Sequence, residues 1–152
     1  MGRVIVAGVG NVLLRDEGVG VRVVEALRGT PLPEGVELME VGTALEALLA
    51  LPEGVEKLVV VDAMRAGFKP GTVLRLKIED LRPLRAKVSL HEAGLPEILG
   101  LLWLSGRGPR EVVVLGVEAK EVGFGEGLSP EVEARLPEIM AKVMEEVQDV
   151  GR

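Results

Sequence analysis

The chain has 152 residues, 47% of them hydrophobic and 28% charged, and carries a net charge of −6. That is the balance of one globular domain, residues 1–152, with a real core. An acidic chain with two Phe, one Trp and no Tyr excludes the basic, aromatic-lined grooves that bind nucleic acid, and no apolar run approaches the roughly 18 residues of a membrane span.

Strand pattern begins directly after Met1-Gly2-Arg3, so no signal peptide is expected and a cytoplasmic location is. The absence of cysteine removes disulfides, thiolate metal ligands and a thiol nucleophile. One Asn and one Gln beside many Glu and Arg suggest a thermophilic source.

Val4-Ile5-Val6-Ala7 reads as a buried strand. It runs into Gly8-Val9-Gly10-Asn11, then the acid pair Asp16-Glu17, then a helix with Val19, Val23 and Leu27 on one face, ending near Arg28. Gly29-Thr30-Pro31-Leu32-Pro33 is a loop, and Val36–Val41 a second strand broken by Gly42. Thr43-Ala44-Leu45-Glu46 has the spacing of a capping box and opens a short helix that Pro52 ends. Lys57–Asp62 is a β-branched run typical of a strand buried on both faces.

After the turn Gly67–Gly71, Thr72–Ile78 alternates apolar and charged residues, the mark of a half-exposed edge strand, possibly antiparallel. Leu90-His91-Glu92-Ala93 leads into a helix with Pro96 in its first turn and Leu95, Ile98, Leu99 and Leu102 on one face. Glu111–Val117 is the last central strand. Ser129 as N-cap and Pro130 at the first helical position open a final helix, with a kink expected at Pro137. Its buried stripe is Val132, Leu136, Ile139, Met140, Val143 and Val147.

Strands alternating with helices in this rhythm predict an α/β three-layer sandwich: a mostly parallel, twisted sheet of about five strands with helices on both faces. Ligands of such folds bind outside the carboxyl ends of the strands. Gly8–Glu17, Glu40–Thr43, Asp62–Ala66 and Gly116–Phe124 fall there, and His91, just before a helix, can join them.

The glycine-rich loop invites a dinucleotide reading, with Glu40 as the ribose acid. The fingerprint needs glycine at position 13, where Leu13 stands, and two carboxylates at the helix mouth repel phosphate. Asp16 and Glu17 also suit a plain role as N-cap and first-turn acids complementing the helix dipole, with Glu17 the freer to face the rim. Asp62 follows four apolar residues, where an unpaired buried acid would cost several kcal/mol, on the order of an unmet charge. Asp62, an acid of the pair Asp16-Glu17 and the lone imidazole of His91 together make an oxygen–oxygen–nitrogen set with open positions, suited to a divalent first-row metal such as nickel, zinc or cobalt. It lacks the four ligands of a closed zinc site. No H-E-x-x-H is present, and none of Ser89, Ser105 or Ser129 sits in a G-x-S-x-G elbow.

Several separated motifs resemble the [NiFe]-hydrogenase maturation endopeptidases: the G-x-G-N loop with Asp16-Glu17-Gly18-x-Gly20, the strand ending in Asp62-Ala63, Ser89-Leu90-His91-x-x-Gly94-Leu95, and Gly127-Leu128-Ser129-Pro130. The likeness covers nearly the whole chain in the family's order. It implies a processing protease that removes a C-terminal extension from the hydrogenase large-subunit precursor once nickel is in place, cutting after a His or Arg near the Cys-x-x-Cys region that binds the active-site metal. It also implies that Glu17, Asp62 and His91 contact that nickel, which the substrate carries, with no resident cofactor. The catalytic group expected on this reading is Asp16, Glu17, Asp62 and His91, with Asp16 or the metal activating a water. The partner is the large-subunit precursor, and the protease is expected to be a monomer. A non-catalytic metal-dependent adaptor of the same subunit is the alternative.

One departure stands out. The family often has Asp-Gly-Gly-Ser/Thr after the second strand, and this chain has Glu40-Val41-Gly42-Thr43. Valine takes a positive φ only at a cost, so a different backbone is expected there.

Overall fold

The computed structural model of the protein describes residues 2–78, 89–90 and 94–150, the pair 89–90 as backbone. The strands are β1 (Arg3–Val9), β2 (Val36–Gly42), β3 (Val55–Arg65), β4 (Val73–Lys77), β5 (Ser89–Leu90) and β6 (Glu111–Glu118). They form one sheet in the order β2–β1–β3–β6–β4, with β5 paired to β3 off that path. β1, β2, β3 and β6 run parallel, and β4 closes one edge antiparallel to β6, as the alternation of Thr72–Ile78 leads one to expect.

Parallel strands joined by crossovers are covered on both faces, and the two-residue period of each strand sorts its side chains between them. Val4 and Val6 of β1, Val59 and Val61 of β3, and Val113 and Leu115 of β6 face one layer. That layer is α1 (Val19–Leu27), α3 (Pro130–Ala134) and α4 (Leu136–Gln148). Ile5, Leu58, Val60, Val112 and Val114 face the other. It is built from a 3-10 turn over Leu45–Ala50 and α2 (Leu95–Leu104). The three-layer sandwich is therefore the observed architecture. Among the described residues no helix is long and apolar enough to cross a membrane.

Three local expectations need correction. Thr43 and Glu46 do not form a capping box: the segment is 3-10, its N-cap is Ala44, and no side chain caps it. Asp62 does not end its strand. β3 continues to Arg65 because β6 stays paired through Met64↔Glu118 and β5 pairs back onto Met64 and Arg65. Pro137 does more than kink the last helix. Its ring displaces the carbonyl four residues back, and the helix breaks at Arg135 into α3 and α4.

The amino end of the sheet holds a buried charge cluster. Lys57 projects from β3 toward α4 and is fully buried. Its Nζ donates to Glu146 Oε1 at 2.9 Å and to the Asp149 carbonyl at 2.9 Å. Arg75 of β4 donates to the other oxygen of Glu146 at 2.6 Å. Burial alone would push the Glu146 carboxyl up, but the hydrogen bonds from Arg75 and Lys57 outweigh it and hold the group below its ordinary range. A carboxyl lowered in the folded state stabilises above its unfolded value of about 4.3, and that stability is lost as pH falls through the folded value. Glu146→Gln is thus expected to flatten the acid side of the stability–pH curve. It should also cost about 3–5 kcal/mol near neutrality, because Lys57 is left buried without its main counter-ion. Urea melts at a series of pH values check both.

Candidate functional site

The four parallel strands bring their carboxyl ends to one edge of the sheet. The chain passes from β1 to β2 on one side of β1, while β3 lies on the other side. Loops after β1 and β3 therefore diverge, and a crevice opens at that switch point, the usual ligand site of open α/β sheets.

Gly10 is the hinge of this crevice. It follows β1 at φ +124°, and its N–H donates to the Gly42 carbonyl at 2.9 Å, tying the loops after β1 and β2 together. A side chain on Gly10 would land on the Glu17 carbonyl oxygen and lie 3.4 Å from Asp62 Oδ1. The backbone of Glu17 and the carboxylate of Asp62, 45 residues apart in the chain by their numbering, thus meet across one glycine.

A cleft of about 170 Å³ opens beside it, lined by Gly10, Leu14, Glu17, Gly42, Thr43 and Leu45 among others. Glu17 is the only ionisable residue among the described lining. Asp62 lies deeper. It is fully buried and its Oδ1 accepts from the Ala63 N–H at 2.8 Å. By the strand period it projects to the same side as Leu58 and Val60, the face that carries Leu45 and α2.

The turn after Val41 shows how the chain accommodates its departure from the family pattern. The positive φ, +61°, belongs to Gly42. Val41 is buried in the apolar layer on the α2 side, and Arg15 is the single non-glycine residue at positive φ among those described. Glu40, offered above as a ribose acid, is half exposed and lies 4.0 Å from Arg28.

Asp16 stands apart from the other site residues. It does not cap: the N-cap positions of the 3-10 turn Arg15–Gly18 and of α1 are Leu14 and Gly18, and neither cap is made by a side chain. Its carboxylate is fully buried. Oδ2 accepts from the N–H groups of Lys120 at 2.9 Å and Glu121 at 3.0 Å and from the Ser129 hydroxyl at 2.8 Å, while Oδ1 accepts from the Ser129 N–H at 2.7 Å. The four donors are shared unequally, three on Oδ2 and one on Oδ1. A general base must reach a water, and the full burial of this carboxylate weighs against the base role expected of Asp16.

Two partners escaped sequence reasoning. Ser129 is the N-cap of α3, accepting from Val132 N at 3.4 Å, and is also the main partner of Asp16. Glu118, buried at the end of β6, accepts from Ala66 and Phe68 N–H groups and fixes the turn after β3. Ser105 donates to the Leu102 carbonyl at 2.9 Å, a helix-end contact rather than a nucleophile's setting. His91 lies outside the described residues. Among the described residues no three His, Cys, Asp or Glu side chains are grouped to hold a metal ion.

The architecture is that of a doubly covered α/β protein with a glycine-hinged crevice at its switch point, Glu17 in the cleft lining and Asp62 buried beside Gly10. The family model described as hydrogenase maturation protease matches residues 21–146. The hydrogenase 2 maturation protease of Escherichia coli is 36% identical over 152 residues, covering 98% of this chain and 93% of that protein. A putative hydrogenase maturation protease of Methanocaldococcus jannaschii is 30% identical over 149 residues, covering 97% and 92%. The solved structure of the hydrogenase maturating endopeptidase HybD from Escherichia coli superposes with a TM-score of 0.85 at 35% identity, covering 97% of this chain and 93% of that one. The chain belongs to the hydrogenase maturation protease family, and it is an endopeptidase of that type.

Because Gly10 combines a positive φ with a closed contact, Gly10→Ala is expected to destabilise the fold by roughly 2–4 kcal/mol. Gly54→Ala, at φ +77° with nothing within 4 Å, should cost only about 1 kcal/mol. Paired denaturant titrations check the difference.

Proposed function

We propose that this protease removes the C-terminal extension of a nickel-loaded [NiFe]-hydrogenase large-subunit precursor, and that Glu17, Asp62 and His91 complete the coordination of the nickel the substrate brings. The observation that carries this reading is the meeting of the Glu17 backbone and the Asp62 carboxylate across Gly10, with Glu17 in the lining of the adjoining cleft. Hard carboxylate oxygens at the mouth and floor of one crevice suit a divalent ion with exchangeable positions. The residues flanking His91 support its membership. Leu90 pairs with Met64, two residues beyond Asp62, and Gly94 lies against Leu45 of the cleft lining.

In this mechanism the protein's main contribution is position. Holding the metal-bearing end of the precursor in the crevice turns peptide hydrolysis into a reaction of pre-placed partners. Nickel held there would lower the pKa of an attacking water by its positive charge, while the fully buried carboxylate of Asp16 would hold its loop rather than move the proton. Glu17, at the open mouth, is the carboxylate placed to meet the incoming ion first.

The decisive measurement is the mass of a nickel-loaded precursor before and after incubation with the protein. Loss of a C-terminal peptide is expected, and a stable complex of unchanged mass would instead make the protein an adaptor on this substrate. Asp62→Asn and His91→Ala should each lower cleavage about 100-fold or more while the circular dichroism stays that of the parent. Ordinary turnover by either variant would remove that residue from the site.

A further inference from the structure

We infer that Asp16 is a positioning residue: with Ser129 it forms a buried clasp that ties the loop after β6 to the loop after β1 and so fixes the Glu17 backbone at the crevice. The importance given to Glu17 rests on the function proposed above; the clasp itself does not.

The geometry of the clasp is specific. β1 and β6 are not neighbours, since β3 lies between them. Their loops nonetheless meet, joined through Asp16 to Lys120, Glu121 and Ser129. Among the described residues, the donors to the Asp16 carboxylate come from that far loop and from the start of α3. Backbone contacts extend the join. The Asp16 N–H donates to the Glu121 carbonyl at 2.9 Å, the Arg15 N–H to Gly125 at 3.1 Å, and the Gly125 N–H to Leu13 at 2.9 Å. Arg15 is held at φ +49°, a conformation that non-glycine residues rarely keep without outside constraint.

Glu17 is gripped on its other side as well. Its N–H donates to the Leu14 carbonyl at 3.1 Å. Its own carbonyl is packed on Gly10, and Gly18 leaves no room for a side chain against the Val12 backbone. The turn therefore has one position available, provided the clasp holds.

Folding alone does not call for this arrangement. A buried carboxylate is costly, and apolar replacements of buried polar pairs are often neutral or stabilising. A charged clasp whose donors sit only on site loops fixes geometry, and four directional bonds do so more sharply than apolar contact.

The test uses the full chain with Ser129→Ala, which removes the hydroxyl and keeps the Ser129 N–H bond, and with Asp16→Asn. Hydrogen exchange read by mass spectrometry should quicken by about tenfold or more, roughly one pH-independent decade of local opening, in peptides covering residues 10–18 and 119–129. Peptides from β1, β3 and β6 should exchange as in the parent. Unchanged exchange in the two loops overturns the clasp, and acceleration everywhere reduces it to general stability. On the nickel-loaded precursor, Ser129→Ala should lower kcat per folded molecule by about tenfold with a smaller change in KM; an unchanged kcat overturns the positioning role. Failure of the parent protein to cut would count against the proposed function instead, and the exchange experiment would still decide the clasp.

Discussion

A carboxylate shut away from water must fill its lone pairs from the protein or cost the fold several kcal/mol, an order set by lost hydration. Asp16 meets that demand with donors more than 100 residues further along the chain. The carboxyl edge of the sheet becomes one unit as a result. Loops that leave β1 and β6 on either side of β3 are joined, and the crevice between β1 and β3 acquires a fixed wall. Gly10 supplies the opposite constraint, because only a residue without Cβ lets the Glu17 carbonyl approach β1 so closely. The acidic site lies between these two conditions.

The two ends of the sheet use buried charge differently. At the amino end Lys57 and Arg75 are balanced by Glu146 and Glu111, with Lys57 wholly enclosed. That cluster has acidic and basic members in contact and holds α4 to β3 and β4. At the carboxyl end Asp16 has neutral donors only, and its charge is spread over backbone N–H groups and a hydroxyl. A cation there would lock the loops equally well, but it would also pair with the neighbouring carboxylates. Neutral donors fix the loops and leave the site's negative potential in place.

Much of this architecture was legible because it is local. Runs such as Val59-Val60-Val61 mark strands buried on both faces, and Leu95, Leu99 and Leu102 mark the inner face of α2, all of them buried. A polar rim at the carboxyl ends of the strands followed from the βαβ rhythm, whereas the switch point itself depends on the strand order that the structure gives. What failed was whatever depended on distant partners. The length of β3 is set by β5 and β6, not by its own residues, so Asp62 was placed at an end when it lies inside a strand. Thr43 and Glu46 have capping spacing, yet the segment they open is too tight a helix for the exchange of bonds that a capping box requires. Ser129 was rightly read as an N-cap. Its second partner, at position 16, leaves no periodic trace in the sequence.

The adjacent acids Asp16 and Glu17 show why residue type alone could not assign the roles. They occupy successive positions of a 3-10 turn, in which neighbouring side chains point roughly 120° apart. One that turns inward to the loop after β6 obliges the next to turn elsewhere, and here that direction is the cleft. The shorter acid fits the sealed position, where its oxygens lie 2.7–3.0 Å from the donors that hold them, while the longer one reaches the cleft. Their order is therefore a geometric requirement. The inward acid makes a rigid turn, and that turn presents its neighbour. Val41 obeys the same logic on the facing loop: it is free to join the apolar layer because Gly42 carries the positive φ, so the Gly10–Gly42 bond that frames the crevice survives without a second glycine before it.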